Sequence, residues 1–193
     1  MPEPSPSPTA LFIITEGFEE LEAVAPLDIL RRAEVDCTLA ATEPTLLVTG
    51  RNQIRVQADV SLDTALRKSY DLVVIPGGPG VASLRKDDRV ISLVRNQFHE
   101  GRLVAAICAG PLVLLDAGVL EGKRSTAHGS VLEQIPGATD EEPVVEDMQV
   151  ITSRGAGTAV LFGLILAKRL VGVDKANAIA SSIHSDNTFP IPS

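Results

Sequence analysis

A chain of 193 residues with 45% hydrophobic content holds enough apolar material for one globular core and offers no sign of a second domain. Its 17 basic against 25 acidic residues give a formal charge of -8, with the acids spread along the chain. That balance argues against nucleic acid or an anionic membrane as the main partner, since both require a basic face. Two separated cysteines make no disulfide framework. No uncharged apolar stretch approaches the ~20 residues needed to span a bilayer, so a soluble cytoplasmic protein is expected.

The opening Met1-Pro-Glu-Pro-Ser-Pro-Ser-Pro8 has neither a basic n-region nor an apolar h-region. Residues 1–9 are therefore expected to be a disordered, Pro/Ser-rich tail and not a signal peptide, with residues 10–193 as a single domain. Ala10 to Ile14 predicts a first strand. Glu19 to Ala33 predicts a helix, with Leu21, Val24, Leu27 and Leu30 at helical spacing. Val35 to Ala41 follows as a strand, and Leu46 to Val60 has the alternation of a small antiparallel excursion. Asp71 to Pro76 is a fully apolar strand that runs into Gly77-Gly78-Pro79-Gly80. Arg89 to Glu100 reads as a helix and Leu103 to Ile107 as the next strand. A helix to about Ala117, a hairpin from Val144 to Ile151, and helices over 157–170 and 174–183 complete the prediction.

Strands this uniformly apolar need cover on both faces. The predicted fold class is accordingly α/β, a doubly wound, mostly parallel sheet sandwiched between helices. The helix over 157–170 is apolar on nearly every side, which calls for burial by the core or by a second subunit and favours a homodimer. In such sheets ligands bind at the carboxyl ends of the strands, at the switch in strand order. Three strand ends, at Thr15-Glu16-Gly17, Pro76-Gly77-Gly78 and Cys108-Ala109-Gly110, are expected to converge there.

Cys108 is the leading catalytic candidate, because it stands at a strand–turn–helix corner beside the first free N–H groups of a helix, a setting that lowers a thiol pKa. A buried free cysteine is also an ordinary core residue, so the spacing alone leaves a packing role open. Glu22 shares a helical side with Phe18 and Pro26, and an inward carboxyl there would stay protonated and relay a proton to the sulfur. Its neighbours Glu19 and Glu20 have the look of a solvated acidic face. The N–H groups of Gly78 and Ala109 form a candidate oxyanion site. His128 is a candidate base for the thiol, or an ordinary loop histidine; His99 and His184 are expected to be exposed. Pro76 to Gly80 is neither a dinucleotide fingerprint nor a P-loop, and the histidines and cysteines lack zinc spacing, so neither a cofactor nor a metal is expected.

The strings Gly17-Phe-Glu-Glu-Leu-Glu22, Ile75-Pro-Gly-Gly78, Ala105-Ala-Ile-Cys-Ala-Gly-Pro111 and Thr152-Ser-Arg-Gly-Ala-Gly-Thr158 together resemble the DJ-1/PfpI/ThiJ superfamily, and within it the deglycase branch, over roughly residues 10 to 185. The resemblance implies a flavodoxin-like sandwich with Cys108 at a nucleophile elbow, Glu22 as the protonated carboxyl touching it, Gly78 and Ala109 as backbone donors and His128 nearby. It also implies Arg32 and Arg51 as basic residues that approach the pocket in a dimer and attract an anion. The activity implied is a cysteine-dependent, cofactor-independent glyoxalase or deglycase acting on methylglyoxal, related α-oxoaldehydes or their adducts. A redox sensor or chaperone in which Cys108 is oxidised to sulfinate is the alternative, and cysteine peptidase activity a weaker one. Gly129 stands where close relatives carry proline, and the loop over 79–83 is shorter than in them, which leaves substrate preference open.

Overall fold

The apolar run near the start becomes a strand, β1 (Thr9–Ile14), with every residue from Ala10 onward buried. It leads into α1 (Glu20–Arg32), β2 (Asp36–Ala41), the small hairpin β3 (Leu47–Thr49) and β4 (Arg55–Gln57), and β5 (Val60–Ser61). Then come α2 (Leu62–Ala65), β6 (Leu72–Ile75), α3 (Val81–Leu84), α4 (Asp88–His99), β7 (Leu103–Ile107) and α5 (Pro111–Asp116). The chain closes with β8 (Val144–Asp147), β9 (Val150–Ser153), α6 (Ala159–Val171) and α7 (Val173–Ser182). This computed structural model describes residues 6–185. Of the expected tail, residues 1–5 lie outside the described residues, as do the last eight of the expected domain, 186–193. Thr9, placed in that tail from the sequence, instead opens β1 opposite Asp36.

Seven strands form one sheet in the order β5-β2-β1-β6-β7-β9-β8, parallel except for the β8–β9 pair. The doubly wound, mostly parallel α/β fold is therefore the one expected. β3 and β4 pair separately, as the alternation suggested. Side chains alternate across the sheet. Ala10, Phe12 and Ile14 pack with α1, α6 and α7 on one face, while Leu11 and Ile13 join Val73, Val90, Val94 and Val113 on the other. The chain winds outward from β1 through β2 to β5, then restarts at β6 on the other side of β1. The switch point thus lies between β1 and β6, and the segments after β1, β6 and β7 share its carboxyl edge.

Of the two covers expected for the all-round apolar helix α6, the core supplies it: α1, α7 and the sheet enclose it, with Ala159, Leu161 to Ala167 all buried. The buried face of α1 is partly the predicted one: Glu22, Leu27 and Leu30 turn inward as expected, but Leu21 is 60% and Val24 44% exposed, and Glu20 is 4% exposed. The carboxyls go inward because the neighbouring loops offer them N–H donors, which offsets their desolvation.

Candidate active site

Cys108 occupies the corner between β7 and α5 in the left-handed region, at φ 64°. A non-glycine residue pays strain there, and this is the conformation of a nucleophile elbow, which lifts the side chain clear of its own strand. Two backbone bonds fix the corner: Cys108 N–H donates to Ser153 O at 2.9 Å, and Cys108 O accepts from His128 N–H at 2.9 Å. The residue is 8% exposed, so its thiol is mostly desolvated.

Glu22 comes to the sulfur from α1. Its helix begins at the N-cap Glu19, whose carboxylate accepts the Glu22 N–H at 2.9 Å. Glu22 Oε2 in turn accepts Gly77 N–H at 2.9 Å, and the same carboxyl lies within hydrogen-bonding reach of the Cys108 thiol. Gly77 has no room for a side chain: a Cβ there would fall 2.6 Å from both Cys108 Cβ and Glu22 Oε2. Gly78, at φ 98°, needs glycine for its backbone as well, and packs against Gly17 O and Glu19 N. The paired glycines therefore let three strand ends close on one point.

Burial raises the Glu22 carboxyl to about 7; the Cys108 and Gly77 hydrogen bonds and the charge of Arg51 oppose this, while Glu19 adds to it. The raised carboxyl agrees with the expectation. The thiol does not. Burial, followed by the charge of Glu22 and its hydrogen bond, pushes Cys108 up to about 12, and the N–H groups of Ala109 and Gly78 only partly counter this. The thiol and the Glu22 carboxyl thus form one hydrogen-bonded pair in which burial disfavours the charged form of both. Gly78 and Ala109 are placed as predicted but direct their N–H groups at the sulfur itself.

The other predicted residues divide. Arg51 is brought to the site: its N–H donates to Phe18 O at 2.8 Å and its charge acts on Glu22. Arg32 is not, within one chain. It lies at the far end of α1, roughly 15 Å along the helix from Glu22 at 1.5 Å per residue, paired with Asp28 at 2.7 Å. His128 is close through its backbone, but its exposed ring engages Ser130, whose N–H donates to Nδ1 at 3.2 Å and whose Oγ lies 2.8 Å from it. No hydrogen bond joins ring and sulfur among the described residues, although the ring edge and the Glu22 carboxyl face the same point, Cδ2 lying 3.5 Å and Glu22 Oε1 3.8 Å from where a Cβ on Gly155 would sit. His99 and His184 are exposed, as predicted. Gly129 has open space around its Cβ position, so nothing in the fold requires glycine there. After Gly78 the chain turns at Pro79 and Gly80 and enters the short helix α3. Among the described residues no His, Cys, Asp or Glu cluster has the geometry to hold a metal. None of their helices is long and apolar enough to cross a membrane.

The sequence reading missed Glu19 and Glu20, which are buried at 7% and 4% exposure. A signal was available. Glu19, Glu20 and Glu22 have Ala23, Val24 and Pro26 four residues on, where solvated helical acids usually have lysine or arginine.

Comparison with known proteins agrees with this geometry. The profile of the DJ-1/PfpI family matches residues 8–169. Protein dj-1beta of Drosophila melanogaster is 36% identical over 181 residues, covering 92% of this chain and 97% of its own. The crystal structure of Drosophila melanogaster DJ-1beta superposes with a TM-score of 0.89 at 36% identity, over 92% of this chain and 98% of that one. The glutathione-independent glyoxalase DJR-1.2 of Caenorhabditis elegans is 35% identical over 170 residues, 85% of this chain and 89% of its own. Protein DJ-1 homolog B of Arabidopsis thaliana is 35% identical across 88% of this chain, which spans only 39% of that longer protein.

Proposed function

Since the chain belongs to the DJ-1/PfpI family, we propose that it acts as a cysteine-dependent, glutathione-independent glyoxalase, turning methylglyoxal and related α-oxoaldehydes into 2-hydroxy acids without a cofactor. The observation that carries this reading is the Cys108–Glu22 contact at the strained elbow, a nucleophile and a base of near-neutral pKa in one desolvated corner. The nematode relative's name supports the reaction class.

In the proposed sequence the Glu22 carboxylate takes the thiol proton as the sulfur adds to the aldehyde carbon, and the new oxyanion recovers that proton to leave a hemithioacetal. Glu22 then removes the hydrogen on this carbon as a proton and returns it to the adjacent ketone carbon, while the hydroxyl proton passes to the former ketone oxygen. One carbon is oxidised and its neighbour reduced, which gives a thioester of lactate with no external electron acceptor. Water cleaves the thioester, releasing lactate and restoring the thiol. A carboxyl near 7 suits both directions of transfer at neutral pH. Glu22 is given this part because its carboxyl lies within hydrogen-bonding reach of the sulfur, whereas the His128 ring is hydrogen-bonded to Ser130. Arg51 supplies positive charge for the carboxylate of the product. In the deglycase form the thiol displaces the amine from the carbinol carbon of a glyoxal-derived adduct: the carbon–sulfur bond forms as the carbon–nitrogen bond breaks, the thiol proton passes through Glu22 to the departing amine, and the same hemithioacetal results.

The exposed apolar residues Leu21 and Val24 on α1, with Ile54 (57%) and Leu47 (43%) on the β3–β4 hairpin, support a homodimer through this face. A second copy is also what would carry Arg32 toward a neighbouring site. The test of the activity is methylglyoxal turnover by wild type, Cys108→Ser and Glu22→Gln. We expect losses on the order of 10²-fold or more for both variants; full turnover by Cys108→Ser overturns the reading.

A second reading draws on the two N–H groups aimed at the sulfur, which would hold the oxygens of a Cys108 sulfinate. Two peroxide molecules would each transfer one oxygen to the sulfur and leave as water. Mass spectrometry after mild peroxide should then find two added oxygens on Cys108, and earlier modification of Cys37 would count against it. Cysteine peptidase activity has no such support, since the ring of His128 is turned to Ser130.

A further inference from the structure

Glu20 is a buried carboxylate with no part in the chemistry above. Its Oε1 accepts the N–H of Asn52 at 2.7 Å and that of Ile54 at 3.4 Å, while Oε2 accepts Asn52 Nδ2 at 2.9 Å. Burial pushes this carboxyl up, but its own N–H, the Asn52 backbone and amide and the Ile54 N–H outweigh burial and hold it below the ordinary range, so it is anionic at neutral pH. The segment it grips is the turn between β3 and β4. That turn closes on itself through Gly50 N–H to Ile54 O at 2.9 Å and Gln53 N–H to Gly50 O at 3.0 Å, with Gln53 at φ 67°. Two more bonds stitch the hairpin to the entrance of α1: Gly17 N–H to Thr49 O and Arg51 N–H to Phe18 O, both 2.8 Å. Gly50 lies so close that a Cβ on it would meet Glu20 Oε1 at 2.3 Å.

The helix turn that presents Glu22 to the sulfur thus also grips the loop that carries Arg51. No carboxylate forms an ion pair with the Arg51 guanidinium among the described residues, so its charge is available to a ligand. We propose that Glu20 is a positioning residue: by clasping residues 52 and 54 it holds Arg51 beside the Cys108–Glu22 corner, and so biases the site toward ligands that carry a carboxylate. The proposal rests on the reading of Cys108 as the reacting sulfur.

The test compares alkylation of Cys108 by iodoacetate and by iodoacetamide at one pH, followed by mass spectrometry of the Cys108 peptide. Both reagents lose iodide to the same thiolate, so the ratio of their rates cancels the thiolate population and reports the local charge felt by an anion. Arg51→Ala should lower the iodoacetate-to-iodoacetamide ratio by roughly threefold to tenfold. Glu20→Gln should lower it to a similar extent, with the double variant no worse than either alone. The sign is decisive, because loss of a nearby negative charge would by itself raise the ratio. Gly50→Ala, which displaces the Glu20 carboxylate with no change of charge, should act in the same direction and decides the matter should Glu20→Gln fail to fold. A ratio unchanged or raised in the Glu20 and Gly50 variants overturns the proposal, as does one insensitive to Arg51→Ala. A Cys108 that neither reagent alkylates in wild type overturns instead the reading of Cys108 on which the proposal rests.

Discussion

Glu22 is folded into a place where its charge is unwelcome, and this has a thermodynamic signature apart from any reaction. A carboxyl raised from 4.5 to about 7 binds its proton more tightly in the folded than in the unfolded chain. Stability contributed by that proton is complete below about 4.5 and is lost as pH rises through about 7, worth about 3 kcal/mol across the window. Groups such as Asp87, held low chiefly by Arg89, have the opposite sign and lose their contribution as pH falls. The difference between wild type and Glu22→Gln isolates the first effect, because the amide cannot titrate. Unfolding free energies measured by denaturant at pH 4.5, 6 and 7.5 should fall for wild type relative to the variant. Parallel pH profiles for the two proteins would show that Glu22 is not desolvated in the way its contacts with Gly77 and Cys108 require.

At the level of elements, α6 and α1 cross at a point set by one missing side chain. Gly163 lies in the middle of α6, and a Cβ there would meet Pro26 Cα at 2.8 Å and Ile29 Cδ1 at 2.8 Å. The isoleucine tip can move; the backbone of α1 cannot move without carrying Glu22 with it. Gly163→Ala should therefore destabilise by about 1–3 kcal/mol despite the better helix propensity of alanine, which is worth about 1 kcal/mol in the other direction. A thermal midpoint several degrees lower is expected, and an unchanged or raised midpoint would mean that the helices separate freely. This crossing was not legible in the sequence, where Gly163 is one small residue in a long apolar run. What was legible followed from short-range pattern: the continuous apolar runs of β1, β6 and β7, the helical spacing of α4, and the turn glycines after the strands. Cys108 and Glu22 could be singled out because the corner and the helical side are local features. The inward turn of Glu20 and the outward turn of Leu21 and Val24 could not, because α1 takes its register from the N–H donors of a loop thirty or more residues later. The raised thiol was equally invisible, since it depends on how deeply the corner is desolvated. For Arg32 the sequence shows a base at a helix end but not the reach of the helix.

On the scale of the whole molecule, the described fold covers both faces of its sheet within one chain but leaves large apolar side chains in solvent on α1 and the β3–β4 hairpin. Leu21, Val24 and Ile54 are prominent among them, each at least 44% exposed. Leu21 lies in the segment 17–22 and Ile54 in the loop 50–54, the two pieces that frame the Cys108–Glu22 corner, so whatever covers these side chains stands near that corner. In the proposed homodimer a second copy buries them, and assembly and site geometry become coupled. Sedimentation velocity at micromolar concentration should then show a dimer for wild type. Leu21→Glu, which changes a side chain already in solvent within the monomer, should shift the population to monomer while the far-ultraviolet circular dichroism stays unchanged. The same variant should alter the iodoacetate-to-iodoacetamide ratio at Cys108, since Arg51 and any basic residue arriving from the second copy face that corner. A dimer that persists in Leu21→Glu would place the interface on another face and detach subunit assembly from the site.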